Sequence, residues 1–343
     1  MTDSSKHLLV GIDLGTSQSS ISTSAGVKKV VDSYVGWPVD AVARKILKKE
    51  VLFGSDAVEN RTMLEVHRPL ERGLLREGSD KDQQAIRELL GHLLELGGAA
   101  DVRKSGGKVR AVVGVPAEAL RVNKQHVREA MRGLVDGLII TSEPFAVAYG
   151  LDALLHAMVV DVGAGTTDFC VMKGRYPTEE DQRTLINAGD WVDDQLFTLL
   201  GERHPGMSVS IHTVREWKEK YSFMGQAPGP VTVSVPIAGV PSEIDITEEM
   251  KQACENLGPP VAEAMLDLIA SVESEYQEQV RKNIILAGGC SRMPGFGSYL
   301  EKSMDEFGGG KVKVVKDPVF VGADGGLALA KDAPKSDWEK LPD

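Results

Sequence analysis

Cysteine is scarce in this 343-residue chain: Cys170, Cys254 and Cys290 are odd in number, far apart, and form no C-x-x-C pair. That excludes a disulfide framework and a paired-thiolate metal or redox site, and it makes a reducing cytoplasm the expected location. Long apolar runs are also missing. A spanning helix needs about 18 apolar residues, and the richest stretch, Leu154 to Val162, contains His156 and Asp161. Met1 to His7 are polar and the apolar run Leu8 to Ile12 ends at Asp13, so neither a signal peptide nor a direct membrane anchor is expected. Excess positive charge is absent. Thirty-nine Lys and Arg stand against 50 Asp and Glu, a formal net charge of −11. No nucleic-acid partner is expected, since such proteins gather basic residues on one face. The seven histidines show no H-E-x-x-H or clustered pattern, and the four tryptophans, Trp37, Trp191, Trp217 and Trp338, are scattered. They are expected to pack rather than to stack on bases.

What is present is the composition of a globular protein, with 42% hydrophobic and 26% charged residues, in a length that suits roughly two domains. Strand-like and helix-like patterns alternate, which predicts an α/β architecture. Leu8 to Ile12 reads as a strand with Ile21 to Thr23 as its hairpin return. Val109 to Val115 and Leu138 to Thr141 read as buried strands, and Met158 to Val162 with Phe169 to Met172 as a second pair. Asp80 to Leu96 places Ile86, Leu89, Leu90, Leu93 and Leu94 on one helical face, with Ser79 as N-cap. Val261 to Val280 reads as a long helix entered through Pro259 and Pro260.

Two segments interrupt the alternation, and each reads as an inserted subdomain. One, from about 35 to 67, is rich in Lys and Arg at its centre. The other, from about 190 to 257, holds two helix patterns and then a stretch punctuated by Pro and Gly, Gly225 to Pro241, with β-branched residues inside it. The chain also echoes itself. Asp13-Leu-Gly-Thr-Ser and Asp161-Val-Gly-Ala-Gly-Thr-Thr-Asp168 both follow apolar strands, which suggests a duplicated strand–turn–strand unit.

These turns carry the chemistry. In Gly11-Ile-Asp-Leu-Gly-Thr-Ser17, an apolar strand ends in an acid and a glycine-containing turn. Backbone N–H groups and the hydroxyls of Thr16 and Ser17 can meet phosphate oxygens there, while Asp13 orders the waters of Mg²⁺. Taken alone the pattern also fits an ordinary hairpin. Asp161, Gly163, Gly165, Thr166 and Thr167 form a second turn of the same type, and two such hairpins can hold a polyphosphate. Competing motifs fail: Gly107-Lys108 is followed by Val109, so it is no P-loop, and Gly163 to Asp168 precedes a strand pattern and lacks the third glycine of a dinucleotide fingerprint. A third element, Ile284 to Phe296, runs from an apolar strand into Gly288-Gly289. It can admit a flat ring close to the backbone or serve as a plain strand-to-helix turn.

Together with Ser142 to Gly150 and Val321 to Ala330, these elements stand in the order of the five motifs of the actin superfamily: phosphate 1, connect 1, phosphate 2, adenosine, connect 2. The chain resembles that superfamily over nearly its whole length. The resemblance implies an α/β actin-like ATPase fold, two lobes of duplicated architecture with two inserted subdomains, and ATP with Mg²⁺ between the lobes. Residues 1–34, 68–148 and 327–343 would form the first core, 35–67 its insertion, 149–189 and 258–326 the second core, and 190–257 its insertion. Arg68 to Leu75 resembles the segment re-entering the first lobe, and Asn187 to Asp194 the turn on the ribose side. Ser142 to Asp152, Gly174 to Gln182, Glu202 to Pro205, Tyr221 to Gly225 and Val315 to Gly322 are similar to the bacterial filament-forming actins that organise magnetosome chains; the cell-shape actins are the alternative.

Carried over motif by motif, the resemblance implies that Asp13 and Asp161 organise Mg²⁺ through water and that Glu143 orients the attacking water. Gly15, Thr16, Ser17 and Gln18, with Gly163, Ala164, Gly165, Thr166 and Thr167, would take the phosphates. Gly189, Lys218, Glu219, Gly288, Gly289, Cys290 and Arg292 would lie on the nucleoside side. Cys290 stands where a third glycine is common. Lys218 and Glu219 can equally be a solvated helix face, and Glu143 can simply open a helix before Pro144. Further copies of the chain and magnetosome-associated adaptor proteins are the implied partners. A chaperone-type ATPase or a sugar-kinase-like transferase would share the fold and the nucleotide site. The former would need a substrate-binding domain, for which no residues remain after Asp343.

Overall fold

Leu8, Val10, Ile12 and Leu14 are buried along the first strand, β1 (His7–Leu14), with the period of two that a strand requires. The computed structural model describes residues 7–71, 74–75, 80–117 and 120–341. The chain divides into two units, Met1–Leu154 with Asp317–Asp343, and Leu155–Lys316. In the first, β1 is joined by β2 (Gln18–Thr23), β3 (Lys28–Asp32), β4 (Lys108–Val115) and β5 (Gly137–Ser142) in the order β3-β2-β1-β4-β5. The first three strands form an antiparallel meander, and β1, β4 and β5 run parallel. The helix α1 (Asp80–Leu96) has the bounds the sequence predicts, and Ile86, Leu89, Leu90, Leu93 and Leu94 are all buried. Each such side chain contributes about 1.5–3 kcal/mol of apolar burial. The predicted cap Ser79 lies outside the described residues. Between β3 and α1, Val35–Pro38 pairs with Leu52–Phe53 and Leu64–His67 in a small antiparallel sheet over Leu52, Ala57 and Leu64.

The second unit repeats the plan. Its strands β6 (Leu155–Val162), β7 (Thr167–Lys173), β8 (Gln182–Leu185), β9 (Ile284–Ala287) and β10 (Val312–Val314) follow the order β8-β7-β6-β9-β10. Antiparallel β6/β7/β8 and parallel β6/β9/β10 match the first sheet strand for strand. The sequence echo at Asp13 and Asp161 is therefore an echo of topology, with both aspartates on the central strand.

The segment between β8 and β9 supplies α2 (Gly189–Arg203), α3 (Ile211–Tyr221), the hairpin Thr232–Ile237/Val240–Asp245 and α4 (Thr247–Ala270). Here one expectation is corrected. The helix predicted from Val261 to Val280 starts at Thr247, carries Pro259 and Pro260 inside it, and stops at Ala270 before a separate helix, Ser274–Arg281. An interior proline costs about 3 kcal/mol, yet Met250, Ala253, Cys254 and Leu257 continue the buried stripe of Val261, Ala264, Met265 and Leu268. Burial on both sides of the prolines outweighs that loss. Gly258 helps, because it has no Cβ to meet the ring of Pro259, and a Cβ there would stand 2.5 Å from the Tyr299 ring.

A buried carboxylate ties the start of the β7–β8 connection. Burial alone would raise the pKa of Asp181, but the Thr178 N–H, Lys173, the Thr178 hydroxyl and Arg175 hold it down at about 2. A depressed folded-state pKa gives stability that is present above the ordinary carboxylate range and lost as pH falls towards 2. Asp181→Asn should therefore lower stability by about 2 kcal/mol at pH 7, and urea unfolding should show the difference from wild type shrinking as pH is lowered. A pH-independent difference would assign the loss to packing instead.

Candidate functional site

In open α/β sheets, ligands lie beyond the carboxyl ends of the parallel strands. In the first unit these ends bring together Asp13 of β1, Gly114 of β4, which pairs with it, and Glu143, the residue after β5. Glu143 opens the helix Glu143–Gly150, with Pro144 in its first turn, where the helix dipole favours an acid. Its stem lies over Gly114: a Cβ there would be 3.5 Å from Glu143 Cγ. Burial pushes the Asp13 carboxyl up to about 6. The last helix, Val321–Asp332, closes over it, and a Cβ on Gly322 would come within 2.5 Å of Asp13 Oδ2.

The turn after β1 is held from behind. Ser33 Oγ donates to the Gly15 carbonyl at 2.7 Å, Arg68 Nε donates to that of Thr16 at 2.8 Å, and the Ser33 N–H donates to that of Ser17 at 2.7 Å. A trans peptide sets each N–H opposite the preceding carbonyl. Pinning three successive carbonyls therefore turns the N–H groups of Thr16, Ser17 and Gln18 the other way, as an anion-binding concavity requires. The Gln18 side chain itself donates to Asp32 Oδ1 at 3.0 Å.

The second unit builds the same device from other residues. Gly163 N–H donates to the Thr166 carbonyl at 2.9 Å and closes the turn. The Gly163 carbonyl accepts from Gly189 N–H at 3.0 Å and from Cys290 Sγ at 3.5 Å, and the Ala164 carbonyl accepts from Asp190 N–H at 2.7 Å. The N–H groups of Ala164 and Gly165 thus face away from α2. Burial pushes the Cys290 thiol up to about 11, so it remains a donor. Thr167 is fully buried and its hydroxyl donates to the Asn187 carbonyl at 2.7 Å, so it faces the fold and not the turn. Behind Gly189, Lys218 Nζ donates to its carbonyl at 2.8 Å and pairs with Asp193 Oδ1 at 2.8 Å. Arg215 binds Asp193 Oδ2 at 2.9 Å and Asp190 Oδ1 at 3.1 Å. Burial raises the Asp193 pKa, against the pull of both cations. Lys218 is thus buried and engaged, which removes the solvated-face alternative for it, whereas Glu219 is exposed beside it.

The glycine-rich turn after β9 contributes differently at each position. Gly288 has φ +79°, and a Cβ on it would stand 2.4 Å from both Asp161 Oδ1 and the Val162 carbonyl. Gly289 is exposed with open space around it, and Arg292 is exposed. The close approach that the structure shows at Gly288, where the sequence suggested room for a flat ring, is to Asp161 and the Val162 carbonyl. Gly288→Ala is accordingly expected to displace Asp161 and to strain the backbone by about 1–3 kcal/mol, since φ +79° with ψ 169° is a conformation essentially confined to glycine. Phosphate release should fall about tenfold, roughly 1.4 kcal/mol of barrier, while the melt shows a folded protein. Wild-type turnover in the folded variant would remove the Gly288–Asp161 contact from the site.

Ser33, Arg215, Asp193 and Gly322 are site residues that motif reading passed over. Arg68, Asp193 and Gly322 lay in segments singled out by the actin resemblance, which gave them no chemical role; Ser33 and Arg215 carried no such signal. No helix among the described residues is long and apolar enough to cross a membrane. The profile of the MreB/Mbl protein family matches residues 7–337. The chain is 39% identical over 337 residues to the actin-like protein MamK of Paramagnetospirillum magneticum, covering 98% of this chain and 96% of that protein. Among solved structures it is similar to a MamK double helical filament, with TM-score 0.89 and 39% identity over 96% of this chain and 100% of that one. It is also similar to a non-polymerising MamK mutant bound to AMPPNP, with TM-score 0.71 and 39% identity over 95% and 99% of the two chains.

Proposed function

The chain belongs to the MreB/Mbl family of actin-like proteins, and on that premise we propose that it binds and hydrolyses Mg²⁺–ATP and assembles with copies of itself into cytoskeletal filaments. The observation that carries the nucleotide reading is the pair of turns with carbonyls pinned from behind, at Gly15 to Ser17 and at Gly163 to Ala164. Nothing in a plain hairpin calls for such clamps. AMPPNP bound to a MamK mutant and a MamK filament among the similar structures support ATP and self-assembly respectively. In the finer reading, the filament organises magnetosome chains in the cytoplasm with adaptor proteins, and the four-segment division given by the actin resemblance describes its subdomains.

Among the described residues no cluster of three or more His, Cys, Asp or Glu forms a metal site. The donors offered are single carboxylates, Asp13 in one unit and Asp161 in the other. This suits Mg²⁺, a hard cation that keeps much of its water and takes most of its remaining ligands from phosphate. The desolvated Asp13 carboxyl, with its raised pKa, is relieved by a nearby cation. When bound, the ion neutralises charge on the transferring phosphoryl group. This chain's own residues then do the rest: the turn N–H groups hold phosphate oxygens, and Glu143 orients the attacking water. Sedimentation and light scattering with ATP, ADP and no nucleotide test the reading. ATP-dependent pelleting is expected, and its absence over a range of Mg²⁺ and salt would count against the filament.

A further inference from the structure

The strand–turn–strand repeat gives each unit a phosphate turn, but only the second turn is braced by the first turn of a helix. Gly189 and Asp190 begin α2, and their N–H groups are spent on the Gly163 and Ala164 carbonyls. No side chain caps that helix start, so what holds it in register lies elsewhere. Lys218, on α3, is 7% exposed, and its ammonium sits 2.8 Å from the Gly189 carbonyl and 2.8 Å from Asp193, one turn further along α2. Arg215, one turn earlier on α3, grips Asp190 and Asp193 together. The two cations therefore lock the first turn of α2 from the side away from the phosphate turn. Cys290 closes the remaining approach, its thiol on the Gly163 carbonyl and its sulfur 3.2 Å from where a Gly189 Cβ would stand.

We propose that Lys218 is a positioning residue for the second phosphate turn, acting through Gly189, and that it sets preference for the polyphosphate end of the nucleotide rather than contacting adenosine. The inference rests on the nucleotide reading above and departs from the nucleoside-side role that the actin resemblance assigns to this lysine and to Gly189. Its logic is a chain of donors. The ammonium fixes the Gly189 peptide, the first two N–H groups of α2 fix the carbonyls of Gly163 and Ala164, and those trans peptides direct the next two N–H groups outward. Without the ammonium the Gly189 carbonyl loses its partner and the first turn of α2 loosens. Phosphate contacts are weakened more than contacts to the nucleoside, because the chain of donors ends on the Gly163 and Ala164 carbonyls.

The test is a binding series with Mg²⁺–ATP, Mg²⁺–ADP and AMP, by calorimetry on the full chain. Lys218→Met keeps the stem and removes the donor; Asp193 keeps Arg215 as its counter-ion. Affinity for ATP should fall about tenfold or more and that for AMP less than about threefold, so the ATP/AMP ratio shrinks. Lys218→Gln, whose amide can still donate to the Gly189 carbonyl, should recover part of the ratio. Equal losses for ATP and AMP would make Lys218 an adenosine contact and overturn the proposal, as would unchanged affinity for all three. Should both variants fail to fold, hydrogen exchange on the wild type decides. Mg²⁺–pyrophosphate should protect the amides of residues 187–193 and adenosine should not; the reverse pattern overturns the proposal. Wild type that binds none of the nucleotides would instead overturn the nucleotide reading, a result distinct from equal losses.

Discussion

Asp161→Ala is expected to hydrolyse Mg²⁺–ATP at least about a hundredfold more slowly than wild type, the loss typical of removing one group aimed at charge in the transition state. The aspartate is the penultimate residue of the central strand of its sheet, where β6 and β9 run parallel and Asp161 pairs with Ala287. The chain has spent an unusual conformation on placing it. Gly288, at φ +79°, leaves open the space against Asp161 Oδ1 that any side chain would fill. In the proposed site that carboxylate serves an ion or its water; β6 itself is already secured by its ladders to β7 and β9. Asp161→Asn separates charge from shape: it keeps the volume and should lose nearly as much turnover as the alanine variant. Phosphate release measured alongside circular dichroism gives the answer. Near-wild-type turnover by either folded variant would remove Asp161 from the site.

Much of this was legible in the sequence because it depends on short-range pattern. The strand periodicity of Leu8 to Leu14, the helical stripe of α1 and the twin aspartate turns are local signals, and the matching strand orders show that the twin turns mark duplicated sheets. What stayed hidden depends on partners distant in sequence. Ser33 and Arg68 act on carbonyls of residues 15 to 17, and nothing in a Ser or Arg considered alone announces a carbonyl partner. Lys218 and Glu219 look alike on a helix face, yet only Lys218 is buried, because Asp193 and the Gly189 carbonyl await it from another helix. The misplaced start of α4 has the same origin. Pro259 and Pro260 read as an entrance by local rules, whereas burial of Met250 to Leu257 continues the helix through them.

Glu143→Ala should separate binding from hydrolysis. In the proposed filament, ATP favours an assembling state and loss of the γ-phosphate weakens that preference. Glu143 stands outside both phosphate turns, at the first residue of its helix, with its stem over Gly114 at the level of Asp13. In the proposed mechanism it acts on a water and does not anchor phosphate, and a positioned acid–base group is worth about 10²–10⁴-fold in rate. The alanine variant is therefore expected to bind ATP with near-wild-type affinity and to pellet with ATP. It should release phosphate at least about a hundredfold more slowly, with filaments that outlast those of wild type. Glu143→Gln should do the same, because the amide keeps the contacts of the side chain with its neighbours but not the basicity. If Glu143 only opens its helix, the glutamine variant will turn over ATP like wild type and the alanine variant will lose stability instead of rate. Pelleting with parallel phosphate release, followed through exhaustion of ATP, distinguishes the two. Persistent filaments with slow release assign Glu143 to the water; ordinary release with a lowered melting temperature assigns it to the helix.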